Sequence, residues 1–432
     1  MVIDQLFKAV RVAGLSAAVR LVGALSAIAI AGLFGVGPDT DAYFMSVTVV
    51  GFITALVGGS ANAALLPRYI RKSDCRSSDG EVLAGASVVA LGLALISVVA
   101  VLPATISATG IHDYGLALLC GVALTPFMTG TLLSGGYATM LSARGAYAVA
   151  VVASVVSPLA MLTVTYLLHA DFGIISLPIG QSVGAMLECA ILHRYLRKNW
   201  VGTRLAPSIA MLRRHATEIK EVAKHAAKVA VGLALVSAIA FVDIIFAATA
   251  GEGAASEFSY GAKVSVTLMA VASAAIAANI LPNLIGHAIH QNWGALRRNL
   301  KLAIYATFGV ALVSCGLLSW YAVEITEMLF VRGKFTYADA VASASVSAWL
   351  VWHIPFALSL GYISRVLNAS SRHRPVVVAS AGLLITKLVG NAALVAIYGS
   401  AGVAMATVLS YATCFALIAW WYFPKIPRVA GD

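Results

Sequence analysis

Charged residues are scarce in this sequence. Only 11% of its 432 residues are charged, whereas an ordinary soluble domain carries about 25%, so the chain could not cover the surface of a water-soluble fold. Hydrophobic residues make up 60% of it, in runs long enough to cross a hydrocarbon core about 30 Å thick. These runs do not alternate with polar residues, which favours helices over a β-barrel. The sequence therefore predicts an all-α polytopic membrane protein.

Several kinds of chemical site are also missing. The five cysteines show neither a disulfide framework nor metal-ligand spacing, and no His/Asp/Glu cluster or phosphate-binding glycine loop is present. We therefore expect no enzyme, no metal site and no cofactor, with energy drawn from the membrane potential or an ion gradient. The first apolar run is too long for a cleavable signal peptide. The formal charge of +11 indicates basic loops, not nucleic-acid binding.

Twelve apolar runs separated by short polar segments predict about twelve transmembrane helices. The predicted segments lie near residues 13–34, 43–66, 82–106, 114–141, 146–169, 173–195, 226–250, 259–287, 302–328, 340–367, 376–398 and 401–422.

The loops between these segments alternate in charge. Basic loops should face the cytoplasm. This predicts that both termini lie on the cytoplasmic side of a bacterial inner membrane. The loop at 331–340 weakens the pattern, because it carries bases on the outer side. The predicted inner loops contain Arg68, Arg71, Lys72, Arg76, Arg144, the stretch 194–228, Arg297, Arg298, Lys301, Arg372 and Arg374. The predicted outer loops contain Asp39, Asp41, Asp113, Asp171, Glu252 and Glu257.

Short echoes indicate an internal repeat. Residues 63–70 (AALLPRYI) resemble residues 278–285 (ANILPNLI), almost half the chain away, and Gly173-Ile174 resembles Gly402-Val403. Six helices per half make the repeat parallel, and two such lobes would enclose a central cleft. We predict an N-terminal lobe at 1–200, a basic amphipathic linker at 201–225 lying on the inner membrane surface, and a C-terminal lobe at 226–432.

Charges within the membrane are functional candidates, because each costs about 2.5–3.5 kcal/mol at the bilayer centre. They are Arg20, Asp243, Lys263 and Lys387, with Glu188 nearer a helix end. Asp243 and Lys387 are the deepest, whereas Arg20 and Lys263 could either snorkel to the membrane surface or contact a substrate. Asp243 and Lys387 could form a structural ion pair, or a cation or proton site with a substrate contact. A cleft with more bases than acids would attract an anion such as a pyrophosphate.

Two motifs carry a family resemblance. Residues 34–37 (FGVG) with 41–44 (DAYF) are similar to the first outer loop of the MviN/MurJ-like lipid II flippases, within the multidrug/oligosaccharidyl-lipid/polysaccharide flippase superfamily. Residues 332–336 (RGKFT) resemble that family's RGxFT loop. Arg20 and Lys263 stand where the family has cationic residues in its first and eighth helices.

The resemblance implies a cationic cavity and alternating access that moves an undecaprenyl-pyrophosphate-linked saccharide outward. The substrate-binding residues would be Arg20, Lys263, Asp41 and Lys387. Asp243 and Glu188, the acids within or near the apolar runs, are the candidates for coupling transport to an ion, and the sequence does not decide between them. Membrane lipids and cell-envelope biosynthesis proteins would be its other partners.

Departures from the family pattern leave the exact lipid-linked sugar open. Ser26 replaces a second first-helix arginine, residues 54–60 lack an arginine and a Glu-Gly-Ala sequence, and Ala262 and Val266 replace acids.

Three alternatives remain. A cation-coupled drug antiporter of the same superfamily would use Asp243 as its acid, a membrane glycosyltransferase or ligase would need acid/base groups at one aqueous face, and a scaffold would need only the basic linker.

Overall fold

The computed structural model describes residues 22–71, 77–111, 113–199, 206–290, 292–369 and 374–422. Within these ranges the chain forms helices and no β-strand, apart from an isolated bridge between Arg332 and Phe335. The α-helices are α1 (Val22–Phe34), α2 (Pro38–Arg71), α3 (Ser77–Thr109), α4 (Tyr114–Ala123), α5 (Thr125–Ala143), α6 (Tyr147–Phe172), α7 (Ser176–Asn199), α8 (Ile209–Arg214), α9 (Ala216–Ala248), α10 (Ala254–Asn279), α11 (Leu281–Ile289), α12 (Trp293–Trp320), α13 (Ala322–Phe330), α14 (Tyr337–Leu350), α15 (Ile354–Ala369) and α16 (Arg374–Tyr422).

The predicted all-helical membrane class is confirmed. Each predicted segment is mainly helical wherever the structure describes it, with short breaks at residues such as Leu124, Ile280 and Tyr321. In that part of the chain, seven helices are long and apolar enough to cross a membrane, or eight if the bent pair at 216–248 counts as one span. Two of the seven, of 53 and 47 residues, are longer than one crossing needs. The count of twelve stays a prediction.

A glycine interrupts each of these two long spans. Gly173 (φ +53°) ends α6, and Gly399 (φ +56°) divides α16 into two halves. Both lie in the left-handed region, where glycine avoids the steric cost that a Cβ atom would add. The sequence echo aligned Gly173 with Gly402, three residues beyond the actual break, and the internal repeat stays a prediction.

The chain forms two compact units. The N-terminal unit takes the described residues up to 30 and residues 37–241, and the C-terminal unit takes residues 31–36 and the described residues from 242 onward. The predicted domain limits at 200 and 225 stay predictions.

Small residues bring helices of the N-terminal unit close together. A Cβ atom on Gly180 would lie 2.7 Å from the Met161 carbonyl oxygen, and one on Gly130 would lie 2.7 Å from the backbone carbonyl carbon of Ala185. Close backbone approach through small residues is how helices associate in lipid. These glycines therefore hold α7 against α6 and α5.

The basic linker docks on the end of α2 and the start of α3, which the loop charges predict to be cytoplasmic. Its apolar side chains Met211 and Ile219 are buried, and the Ser208 amide donates to the Ala84 carbonyl, 3.3 Å away. Arg68 forms one ion pair with Asp79, which is fully buried, and another with Glu218. The acids here neutralise part of the basic charge.

The same linker region contains a second ion group. The His215 Nε2 atom lies 2.9 Å and the Arg214 guanidinium 3.6 Å from the Glu81 carboxylate. Residues 201–205 of the predicted linker lie outside the described residues, and α9 continues without a break from the linker into the next apolar segment.

The loop at 331–340, which departs from the alternating charge pattern, has a defined local structure. Thr336 and Asp339 form a capping box at the start of α14: the Thr336 amide donates to Asp339 Oδ2 (2.8 Å), and the Asp339 amide donates to Thr336 Oγ1 (3.3 Å). This satisfies amides that have no partner within the helix.

Candidate functional site

Lys263 is an exposed cation of the C-terminal unit. It lies on α10, about 14 Å along the helix from Ala254, with an exposed side chain. Its ammonium forms no ion pair within the described residues. A solvent-accessible base in an apolar helix is suited to bind an anion. The other predicted phosphate ligand, Arg20, lies outside the described residues.

Asp243 and Lys387 form a buried ion pair in the C-terminal unit. Lys387 Nζ lies 2.6 Å from Asp243 Oδ1, and both side chains are buried. The ammonium also donates to the Val403 carbonyl oxygen (2.8 Å) and to the Thr407 hydroxyl. Three oxygen atoms thus surround a single ammonium, which compensates the cost of burying two charges. Of the alternatives the sequence left open, this geometry is that of an ion pair.

The ion pair belongs to a larger polar cluster. Asn391 lies one helical turn beyond Lys387, is fully buried, and has its side chain beside the Asp243 carboxylate. The ring of Tyr411 meets that of His353 at an angle of 50°, with ring centroids 5.2 Å apart. The His353 Nδ1 atom also lies 3.4 Å from the buried Ser265 hydroxyl. The cluster therefore joins α10 and the 3-10 turn before α15 to α16.

The remaining two predicted residues lie in the N-terminal unit. Glu188 is half-buried in the middle of α7 and makes no ion pair within the described residues. Asp41 is in the first turn of α2 and 4% exposed. Such burial makes Asp41 suited to support the helix terminus, whose dipole favours an acid there. The structure brings Asp243 and Lys387 together in the C-terminal unit, whereas Glu188 and Asp41 belong to the N-terminal unit.

Residues 31–36, which contain most of the FGVG motif, pack against the RGKFT loop in the C-terminal unit, although the two segments are about 300 residues apart in sequence. The Lys334 amide donates to the Gly32 carbonyl oxygen (2.9 Å), and the Tyr260 hydroxyl donates to the Gly35 carbonyl oxygen (3.3 Å). Tyr260 meets Phe335 edge-on, with centroids 5.3 Å apart. Residues 31–36 form a strap that the RGKFT loop and α10 hold in place.

Gly35 is a sensitive point of this strap. Its φ is +69°, and a Cβ atom there would lie 2.7 Å from the Lys334 carbonyl oxygen. We expect Gly35→Ala to lower stability by at least the 1–2 kcal/mol of a left-handed residue, because the contact adds to the strain. Thermal unfolding in detergent measures this. Gly37→Ala is the control, since a Cβ there meets nothing within 4 Å; equal midpoints for both variants would contradict the prediction.

Sequence reasoning missed three members of the polar cluster. Asn391 and Thr407 are neutral, and Val403 contributes only its backbone oxygen, so a search for intramembrane charges passes over them. One signal was present: Lys387 and Asn391, like Val403 and Thr407, are four residues apart and therefore share a helix face.

Comparison with known proteins identifies the family. The profile of the family "Lipid II flippase MurJ" matches residues 30–429, nearly the whole chain. This protein belongs to the MurJ lipid II flippase family. The resemblance drawn from the FGVG, DAYF and RGKFT segments is thereby confirmed. Membership makes it a multi-pass membrane transport protein. No curated protein matches the sequence.

Solved structures support the fold. A lipid II flippase MurJ in an inward closed conformation has 18% identity and a TM-score of 0.77, over 95% of this chain and 87% of that one. An inward-facing MATE-family multidrug resistance transporter has 15% identity and a TM-score of 0.72, over 95% and 98%. A third, a MOP-superfamily transporter from Pyrococcus furiosus, has 13% identity and a TM-score of 0.64, over 98% and 96%. At these identities the likeness concerns the MurJ/MATE-like fold.

Proposed function

We propose that this MurJ-family protein moves lipid II, or a closely related undecaprenyl-pyrophosphate-linked saccharide, from the inner to the outer leaflet of the bacterial inner membrane. Transport occurs by alternating access, with both termini in the cytoplasm. The observation that carries this proposal is the family match over residues 30–429. The protein is a carrier, not an enzyme.

The charges of the described helices support an anionic substrate. Lys263 is an exposed ammonium with no carboxylate paired to it among the described residues. An unpaired base can donate charge-assisted hydrogen bonds to phosphate oxygens, which are about twice as strong as neutral ones. Lys263 is therefore the residue of the C-terminal unit proposed to contact the pyrophosphate, with Arg20 proposed as its counterpart in the first helix.

The ion pair counts against a drug or cation antiporter. Such a carrier needs an acid that can release one cation and bind another, and Asp243 was the candidate. Its carboxylate faces the Lys387 ammonium at 2.6 Å, inside a cage completed by Val403 and Thr407. A second cation could bind there only if Lys387 left the cage, at the cost of leaving a buried ammonium unpaired.

The test of this function is transport in proteoliposomes. Fluorescent lipid II, the same carrier lipid bearing a sugar through a pyrophosphate but without peptide, and an organic cation are offered separately. Outward movement is scored by an impermeant reagent that modifies the exposed head group. We expect movement of pyrophosphate-linked lipids and none of the cation. Cation exchange without lipid movement would replace the flippase assignment with the antiporter.

Energy coupling is proposed to use Glu188. A carboxylate in a membrane span with no basic partner among the described residues can take up and release a proton as access alternates. We expect Glu188→Gln to lose the acceleration that a pH gradient gives while keeping the response to a membrane potential set by a potassium gradient. Glu324→Gln, an exposed acid on α13, is the matched control. An unchanged pH-gradient response in Glu188→Gln would remove Glu188 from coupling.

A further inference from the structure

The N-terminal unit contains an apolar groove between α2, α3 and α9. Its volume is about 290 Å³, roughly twice the cavity of about 150 Å³ that accepts a benzene ring. Alanine, valine and leucine side chains form most of its wall, with Ser60 and Ser97 the only hydroxyl side chains in it. Both hydroxyls can bond to their own helix backbone, as Ser60 does with the Val57 carbonyl. The wall therefore offers a ligand little besides hydrocarbon surface.

The length of the groove corresponds to one leaflet. Its α3 wall runs from Ala86 to Ser97 and its α9 wall from Ile219 to Ala230, each about 16 Å at the helical rise. Half of a hydrocarbon core of about 30 Å is about 15 Å. Ile219 belongs to the docked linker, which the loop charges predict to be cytoplasmic, so the groove is assigned to the inner leaflet.

A row of lysines stands beside the cytoplasmic part of the groove. Lys220, Lys224 and Lys228 are exposed on α9 at intervals of four residues. Lys220 and Lys224 follow Ile219, the groove residue nearest the start of α9, whereas Lys228 lies about 14 Å further along the helix than Ile219. None of the three forms an ion pair among the described residues. Of the neighbouring acids, Glu218 pairs with Arg68 and Glu81 with His215, while Glu221 is exposed on α9.

We infer that this groove binds one acyl chain of an anionic phospholipid of the inner leaflet, whose phosphate lies near Lys220 and Lys224. The apolar wall takes the chain, the one-leaflet length suits it, and the lysines supply the complementary charge. A polyprenyl tail would exceed the groove, because it is longer than one leaflet. The bound lipid joins the cytoplasmic ends of α2 and α3 to the amphipathic start of α9.

Photolabelling tests this inference. The protein is reconstituted in phosphatidylcholine vesicles that contain phosphatidylglycerol with a diazirine in its acyl chain, irradiated and mapped by peptide mass spectrometry. We expect labelling of the groove walls on α3 and α9. Ala90→Trp fills the groove and should lower this labelling about tenfold, the effect of excluding about two methylene groups. Ala100→Trp, at an exposed position of α3 outside the groove, should not.

The head group is tested separately. Lys220→Gln/Lys224→Gln should lower phosphatidylglycerol labelling about fivefold or more, at about 1 kcal/mol per base near the surface, and leave labelling by diazirine phosphatidylcholine unchanged. Arg298→Gln/Lys301→Gln removes the same charge in the C-terminal unit and is the control.

Three outcomes would overturn the proposal. Native-level labelling in Ala90→Trp would show lipid merely surrounding the helices, and Ala226→Leu repeats this test with a smaller side chain should the tryptophan variant not fold. Equal effects of the two double charge variants would mean that the α9 lysines have no special role. Displacement of the label by equimolar polyprenyl phosphate, but not by unlabelled phosphatidylglycerol, would make the occupant the carrier tail.

Discussion

Replacing Lys387 by methionine is expected to destabilise the C-terminal unit by about 3–5 kcal/mol. Asp243 is 5% exposed, and without the ammonium at 2.6 Å its carboxylate would be a buried charge with no counter-ion. The Val403 carbonyl would also lose its donor from Nζ. The apparent midpoint of thermal unfolding in detergent measures the loss, and Lys301→Met, an exposed base on α12, should leave it unchanged.

The double variant Asp243→Asn/Lys387→Met separates structure from transport. It removes both charges, so most of the lost stability should return. If this variant also moves the lipid-linked saccharide normally, Lys387 has no role in substrate binding. If it is stable but inactive, the pair takes part in transport, as the sequence predicted. A single Lys387→Met variant as stable as the native protein would contradict the ion-pair assignment itself.

Replacing Lys263 by alanine is expected to slow transport of the lipid-linked saccharide about 10- to 100-fold. This is the effect of losing a hydrogen bond to a charged group, about 1.5–3 kcal/mol. Because the side chain is exposed and makes no ion pair among the described residues, folding should be unaffected. Initial rates in proteoliposomes, compared at equal protein abundance, measure the change.

Two further variants make the Lys263 test specific. Lys263→Arg keeps the charge and should retain most of the rate, since a guanidinium also donates to phosphate oxygens. Lys301→Ala removes a base from α12 and should leave the rate unchanged. Full transport by Lys263→Ala would remove this residue from the proposed site. Arg20→Ala then tests the other cationic contact predicted from the sequence.

The polar cluster shows how far a single sequence reaches into the candidate site. Asp243 and Lys387 stand out because a charge in an apolar run is costly, but their pairing depends on how α9 and α16 pack. Asn391 and Thr407 are ordinary polar residues in sequence, and only burial and position make them part of the cluster. The backbone oxygen of Val403 leaves no sign in a side-chain pattern.

The strap at residues 31–36 makes the same point for the motifs. FGVG and RGKFT were readable as separate signatures, and the family match confirmed what they indicated. That they pack together around Tyr260 follows from tertiary contacts between segments about 300 residues apart. The charges of the loops likewise predict the orientation of the chain in the membrane. They could not identify Asp339 as part of a capping box at the start of α14.

The sequence by itself determined that the protein lies in a membrane, that it is helical, and to which family it belongs. Hydrophobic composition, run length and local motifs are properties of short segments, and they do not depend on which helix packs against which. Tertiary structure alone decided that Lys387 is engaged by Asp243 while Lys263 is left open, and that α2, α3 and α9 enclose an apolar groove. These depend on distances between residues far apart in the chain, and on the burial that decides whether a charge must be paired.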